Sequence, residues 1–324
     1  MSLTKTELAH FHKEAYVVKP AIFSEEDLQP IKAAFSEIVD TEAKRIKSEG
    51  RLEDIYSDAP FGDRLAHISN DNPEAAAKIV QAVMGAGGGG FKGPALFQML
   101  VHSPLLSCIE SLVGPTIIGS SVYRVRPKLP IWERGEVPWH QDSGYFLPHC
   151  DQYLIVTCWI PLIDATTDNG CLHVIPRTHE QGVLRHYTGG HGGYLEIPPD
   201  ELPHTEPIPM EMKAGDVLFL TNLTLHASFH NRTNQVRWSI DLRYQGPEAP
   251  NNVGETPESY AREREAVTMA CYPPEADFII RQPEHPEQEV KTADEFRRIR
   301  ARYERARPQM PGRGWTRLTD RGQS

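Results

Sequence analysis

The sequence predicts a mainly β protein with flanking α-helices, and three observations lead there. Residues 153–163, 171–175, 217–221 and 236–244 are short runs rich in β-branched, aromatic and aliphatic residues, as strands require. Turn signals separate them, notably Lys213-Ala214-Gly215-Asp216 and Asn231-Arg232-Thr233. Helical spacing of apolar residues is confined to the first third of the chain and to a stretch near its end.

In order along the chain, residues 4–13 read as a helix with Thr4 as N-cap and Glu7 as its capping-box partner. Residues 16–19 form a short β run ended by Pro20. Ser24-Glu25-Glu26-Asp27 opens a second helix: Ser24 caps, Asp27 reaches back, and the acidic residues sit at the positive end of the dipole. Leu28, Ile31, Ala34, Phe35, Ile38 and Val39 then make one apolar face, suited to buttress a sheet. Residues 46–75 are polar and irregular by pattern. Residues 84–90 are Gly-rich but lack the Lys-Ser/Thr and the preceding strand of a phosphate-binding loop, so they read as a flexible loop. Residues 97–101 and 104–113 are helical and stop at Gly114-Pro115.

Residues 116–125 are rich in strand formers and lead into Arg126-Pro127-Lys128, cations that either meet an anion or sit on a solvated edge. Residues 153–163 are apolar on both faces, as a doubly covered strand should be. Residues 177–207 form a long Gly-, His- and Pro-rich insertion of the kind that serves as lid or binding loop. His173, His179, His186, His191 and His204 lie in or beside it without ligand spacing. From about residue 247 the pattern turns irregular, followed by a basic helix over 292–307 and a loose end. The expected organisation is one catalytic unit over residues 1–245, with 246–324 packing on it as an extension.

A chain of 324 residues can bury a large core without disulfides. Its five cysteines show no paired spacing, and the first twelve residues hold no apolar signal core, so a reducing cytoplasm is expected. No apolar run reaches membrane-span length, and a net charge of −10 argues against a nucleic-acid surface. The basic residues of 296–307 read as a solvated helix face. Oligomeric state is not readable from these features.

The chemistry lies in Val137-Pro138-Trp139-His140-Gln141-Asp142-Ser143-Gly144-Tyr145. On extended backbone His140 and Asp142 share a face, so imidazole and carboxylate can reach one metal ion. About 85 residues on, His226 offers a second imidazole, and two His with one carboxylate are the facial triad of non-haem Fe(II) oxygenases. His230 is a rival ligand. Arg237 lies in the strand beyond His226, where its planar fork suits the far carboxylate of a 2-oxoacid.

Trp139-His140-Gln141-Asp142, the run from Asn169 to Pro176, Gly215-Asp216-Val217-Leu218-Phe219 and Leu225-His226-Ala227-Ser228 resemble the phytanoyl-CoA dioxygenase family, as does the opening Phe11-His12-Lys13-Glu14-Ala15-Tyr16-Val17-Val18. The resemblance spans roughly residues 7–245. It implies a double-stranded β-helix (jelly roll, cupin-like), Fe(II) on His140, Asp142 and His226, and 2-oxoglutarate and O2 as co-reactants. Arg237 and Ser228 would hold 2-oxoglutarate, with Thr157 and Trp159 lining its pocket. The family match suggests a pocket contact for Gln141, whereas strand alternation points it away from the metal. The implied reaction hydroxylates an unactivated C–H of a small or mid-sized metabolite and releases succinate and CO2. Asp142, where related halogenases carry a small residue, favours hydroxylation, while desaturation, epimerisation and ring closure use the same site. An acyl-CoA would need cations at the pocket mouth, for which Arg126, Lys128, Arg177 and Arg185 are the candidates. Two other readings stand beside this one: a non-catalytic metal- or ligand-binding β-helix protein, and an iron dioxygenase that needs no 2-oxoglutarate.

Overall fold

The computed structural model describes residues 2–85, 89–131, 135–257, 275–306 and 313–322. Its centre is a pair of antiparallel sheets. The N-terminal helix α1 (Lys5–Glu14) starts in the capping box of Thr4 and Glu7, and α2 (Glu25–Ser48) in that of Ser24 and Asp27. Between them, β1 (Tyr16–Lys19) joins the large sheet. Four more helices follow: α3 (Arg64–Asp71), α4 (Pro73–Met84), α5 (Pro94–Leu100) and α6 (Ser103–Val113). Residues 46–75, expected to be irregular, therefore hold the end of α2, all of α3 and the start of α4. Asn72 caps α4 through the Ala75 N–H, with Pro73 in the first turn.

The strands are β2 (Ile117–Lys128), β3 (Val137–His140), β4 (Ile155–Pro161), β5 (Leu172–Ile175), β6 (Ile208–Met210), β7 (Val217–Thr221), β8 (Leu225–Ser228), β9 (Arg237–Gln245) and β10 (Asp277–Arg281). The large sheet runs β1-β7-β4-β9-β2-β10 and the small one β3-β8-β5-β6, every neighbour antiparallel. From β3 onward the chain passes back and forth between the sheets, which is the double-stranded β-helix. The turn before β7 needs glycine: at Gly215, φ is +84° and a Cβ would sit 2.0 Å from the Phe23 carbonyl oxygen.

Helices cover the outer face of the large sheet, so its strands are buried on both sides, and alternation sorts their residues. On β9, Trp238, Ile240, Leu242 and Tyr244 enter the helix-side core, where Phe61 and Phe35 stack on Trp238 with centroids 4.9 and 5.6 Å away. Arg237, Asp241 and Arg243 take the opposite face and line the cavity between the sheets. The same parity sends Val156, Cys158 and Ile160 of β4 outward and Thr157 and Trp159 inward. The four cysteines among the described residues are buried, and Cys271 lies outside those residues.

Residues 177–207 hold only short 3₁₀ turns and two isolated bridges, Tyr187 with Glu196 and Thr188 with Arg317. β10 extends the large sheet beside β2, and α7 (Ala293–Ala306) buries Phe296, Arg300 and Tyr303. Arg300 pairs with Glu275 and Glu304, while Arg297, Arg298, Arg302 and Arg305 stay exposed. The C-terminal residues 313–322 differ from the expected loose end, because they are bonded to the insertion and to the turn after β3. No single helix among the described residues is long and apolar enough to cross a membrane.

Asp277, at the start of β10, is buried, with Oδ2 accepting from the Asn252 N–H and Oδ1 without a partner. Burial pushes its carboxyl up to about 7. The neutral form is thus the stable one in the fold, so its contribution is full below the ordinary carboxylate range and is lost as pH rises through about 7. Asp277→Asn should gain stability relative to wild type by on the order of 2 kcal/mol between about pH 5 and about pH 8. Urea unfolding of both proteins at the two pH values checks this, and a pH-independent difference would contradict it.

Candidate metal and 2-oxoacid site

His140 ends β3 and His226 sits in β8, and these two residues are direct cross-strand partners. Their rings lie 4.2 Å apart between centroids. Each is oriented by its own backbone: Nδ1–H of His140 donates to the Pro138 carbonyl and that of His226 to the Thr224 carbonyl, both at 2.9 Å. A carbonyl only accepts, so each Nδ1 carries a proton, and Nε2 is the ring atom turned toward the site. Burial and the neighbouring His226 hold His140 well below the usual histidine range, so its imidazole is neutral.

Gln141 continues the extended backbone, and Asp142 opens a 3₁₀ turn with Oδ1 3.9 Å from His140 Nε2. Ligand atoms of His140, Asp142 and His226 all lie within 4.8 Å of one another, and all three residues are buried. Two imidazoles and one carboxylate fit a divalent first-row metal with positions left open for exchangeable ligands.

Asp142 is held by a residue that the sequence reading missed. Arg243 Nη2 donates to Oδ1 at 2.9 Å and Oδ2 at 3.0 Å, its Nε reaches Oδ2 at 3.2 Å, and its Nη1 bonds the Val122 carbonyl. Thr157 Oγ1 also donates to Oδ2. Burial alone would raise the Asp142 pKa, yet the Arg243 guanidinium beside it holds it far below the usual carboxylate range. The carboxylate is therefore ionised, and its Oδ1 keeps a lone pair for a cation.

Arg237 lies behind the triad, 1% exposed. Its Nη1 donates to Ser239 Oγ, its Nη2 to Ser228 Oγ at 3.3 Å, and its Nε has no partner. The guanidinium lies 5.3 Å from the Trp159 ring. No carboxylate among the described residues pairs with it, and burial pulls its pKa down to about 10, which Asp241 only partly offsets. A buried cation with hydroxyl partners alone is a socket for an anion. The cavity beside it is lined by Trp159, Leu172, Leu220, Ser228 and both imidazoles.

Other predicted residues fall as follows. Thr157, Trp159 and Ser228 line the cavity, but Thr157 bonds Asp142. Gln141 does not: its amide is buried against Gly182 and Leu223 carbonyls and the Leu184 N–H, so alternation overrides the suggested pocket contact. Arg126 pairs with Asp241 at 2.6 Å. Lys128 is buried, donates to the Ser228 and Phe229 carbonyls, and is driven well below the usual lysine range by burial and by Arg237. Neither is a solvated edge. His230 turns away to Glu136 at 3.1 Å. The triad is the single candidate metal cluster among the described residues, and the insertion histidines do not form another.

The sequence matches the family model for phytanoyl-CoA dioxygenase (PhyH) over residues 11–239. The chain belongs to this family. It is similar to phytanoyl-CoA dioxygenase from Arabidopsis thaliana, 23% identical over 263 residues covering 74% of this chain and 88% of the relative. The peroxisomal phytanoyl-CoA dioxygenase of Mus musculus is 24% identical over 275 residues, covering 83% of this chain and 76% of that protein. Among solved structures, a non-heme monooxygenase, ThoJ in its apo form, shares the fold with a TM-score of 0.54, 15% identity, and coverage of 92% of this chain and 96% of that one. This member of the phytanoyl-CoA dioxygenase family is accordingly an Fe(II)- and 2-oxoglutarate-dependent oxygenase that uses O2.

Arg243→Lys keeps the charge but loses the forked grip on Asp142, and should weaken Mn(II) binding to the apo protein about tenfold. Calorimetric titration reads this, and unchanged affinity would mean that Thr157 alone holds the carboxylate.

Proposed function

We propose that this protein hydroxylates an unactivated C–H of a small or mid-sized metabolite, with release of succinate and CO2. The observation that carries the reading is Arg237, a buried guanidinium without a carboxylate partner, on the same cavity as His140 and His226. His140, Asp142 and His226 would hold Fe(II), which when bound supplies the oxygen-activating chemistry.

The chain's own groups supply placement. Arg237 binds the far carboxylate of 2-oxoglutarate, with Ser228 and Ser239 fixing the guanidinium plane. Trp159, Leu172 and Leu220 wall the carbon chain and exclude water. Arg243 and Thr157 keep Asp142 ionised and oriented. A contiguous recess on the other side of His140, lined by Val122, Tyr145, Phe146 and Tyr194, is where the substrate would lie.

The cation positions argue against a CoA thioester. Arg126 is taken by Asp241, Arg177 by Glu14, Arg185 bonds Thr316, and Lys128 is sealed against carbonyls. Among the described residues, the arginines that line the recess, Arg124, Arg126 and Arg243, are each paired with a carboxylate, so none is left for a phosphate-rich handle. With those charges paired among themselves, an uncharged or modestly polar metabolite suits the recess better.

Succinate formation from 2-oxoglutarate, with Fe(II) and ascorbate, tests the activity. Arg237→Ala should raise the KM for 2-oxoglutarate about 100-fold, as loss of a charge-assisted two-pronged contact does. Oxygen uptake that persists in this variant without 2-oxoglutarate would favour a dioxygenase that cleaves its own substrate. Binding of metal and 2-oxoglutarate with no succinate, across metabolite pools, would favour a non-catalytic binding protein.

A further inference from the structure

We propose that the C-terminal residues 313–322 form a strap that sets the position of the turn carrying Asp142, with Trp315 and His186 as positioning residues for the metal site. This inference rests on reading His140, Asp142 and His226 as a metal centre.

The turn needs such support. β3 ends at His140, so Asp142 lies beyond the strand that fixes the first imidazole, in a 3₁₀ turn of three residues, Asp142–Gly144. Within the turn, Gly144 and Tyr145 donate to Gln141 and Asp142 carbonyls, and Ser143 N–H reaches the Asn222 carbonyl at 2.9 Å. The N–H between the two ligands points elsewhere. Gln141 N–H donates to His186 Nε2 at 2.9 Å, while His186 Nδ1–H donates to the Leu184 carbonyl at 2.9 Å. His186 is fully buried and sits directly on the turn: a Cβ on Gly144 would be 2.6 Å from its Nε2. One insertion histidine therefore fixes the backbone that links ligand to ligand.

Trp315 closes this arrangement from outside. Its ring lies against His186 with centroids 5.3 Å apart, and its Nε1–H donates to the Gly144 carbonyl at 2.8 Å. One indole thus packs against the imidazole and ties down the far end of the turn. Arg313 continues the grip, with Nε on the Phe146 carbonyl at 2.6 Å and its guanidinium paired with Asp151.

The strap is anchored to the insertion, not to the turn alone. Thr188 N–H donates to the Thr316 carbonyl and Leu318 N–H to the Thr188 carbonyl, each at 2.9 Å, a short parallel bridge. Arg321 pairs with Asp200 and Glu201. The insertion in turn supplies Tyr194 to the substrate recess. Residues 313–322 lie beyond the 11–239 stretch that matches the family model, whereas His186 and the turn it supports lie within it.

Groups that orient metal ligands from behind typically change metal affinity by about 10–100-fold when removed. The test uses full-length Trp315→Ala, Trp315→Phe and Arg321→Ala, each stripped of metal and titrated calorimetrically with Mn(II), with thermal unfolding of the apo proteins alongside. Trp315→Ala should bind Mn(II) about 10–100-fold more weakly than wild type. Trp315→Phe keeps a ring against His186 but loses the bond to Gly144, and should bind several-fold more weakly with an apo melting temperature close to wild type. Arg321→Ala, cut at the far end of the strap, should stay within about twofold. If Trp315→Ala does not fold, Trp315→Phe decides. Wild-type affinity in Trp315→Phe, or equal weakening in Arg321→Ala, would overturn the proposal. Wild-type protein that takes up no Mn(II) would instead overturn the metal reading of the triad.

Discussion

The constraint on which this structure depends is the antiparallel register of β3 against β8, which places His140 directly opposite His226. Side chains facing one another across a sheet are held about 5 Å apart at Cβ, so the pairing brings two imidazoles to one point without any loop having to be positioned. A one-residue slip of either strand would turn a ligand to the other face and abolish the site. The rest of the fold protects that register. β5 pairs the other edge of β8, placing Val174 opposite His226, and the helix-backed large sheet closes the cavity from the far side.

Charge decides what the cavity is for. Asp142 and Arg243 are a buried, doubly bonded pair on the inner face, and such pairs add little to stability against an apolar filling of the same volume. Their value is in fixing a carboxylate in an ionised state and a single orientation. Arg237, on the same face of β9, has no such partner. The two arginines thus differ: Arg243 neutralises and orients Asp142, and Arg237 meets hydroxyl groups and no carboxylate among the described residues. Burying a guanidinium without a counter-charge costs free energy, and that cost makes the position selective for a carboxylate.

Much of this was legible in the sequence where the signal is local. The capping boxes at Thr4 and Ser24, the doubly covered apolar strand β4, and the triad spacing with Arg237 all follow from near-neighbour chemistry. Arg243 carried a usable signal too: six residues past Arg237 on one strand, it must share its face. Helix α4 announced itself through Asn72-Pro73-Glu74, an N-cap, a first-turn proline and an acid at the positive dipole end. The roles of His186 and Trp315 were not legible. Their contacts with Gln141 and Gly144 join segments 45 and 171 residues apart, across loops whose path no local pattern dictates.

The most direct measurement of the central claim is a crystal structure of the protein grown anaerobically with Mn(II) and 2-oxoglutarate, with the metal located by its anomalous signal. The account predicts one strong peak bound by His140 Nε2, His226 Nε2 and a carboxylate oxygen of Asp142, and a 2-oxoglutarate whose far carboxylate meets Arg237 in a two-pronged contact. A metal bound elsewhere, or an oxoacid lying away from Arg237, would contradict it.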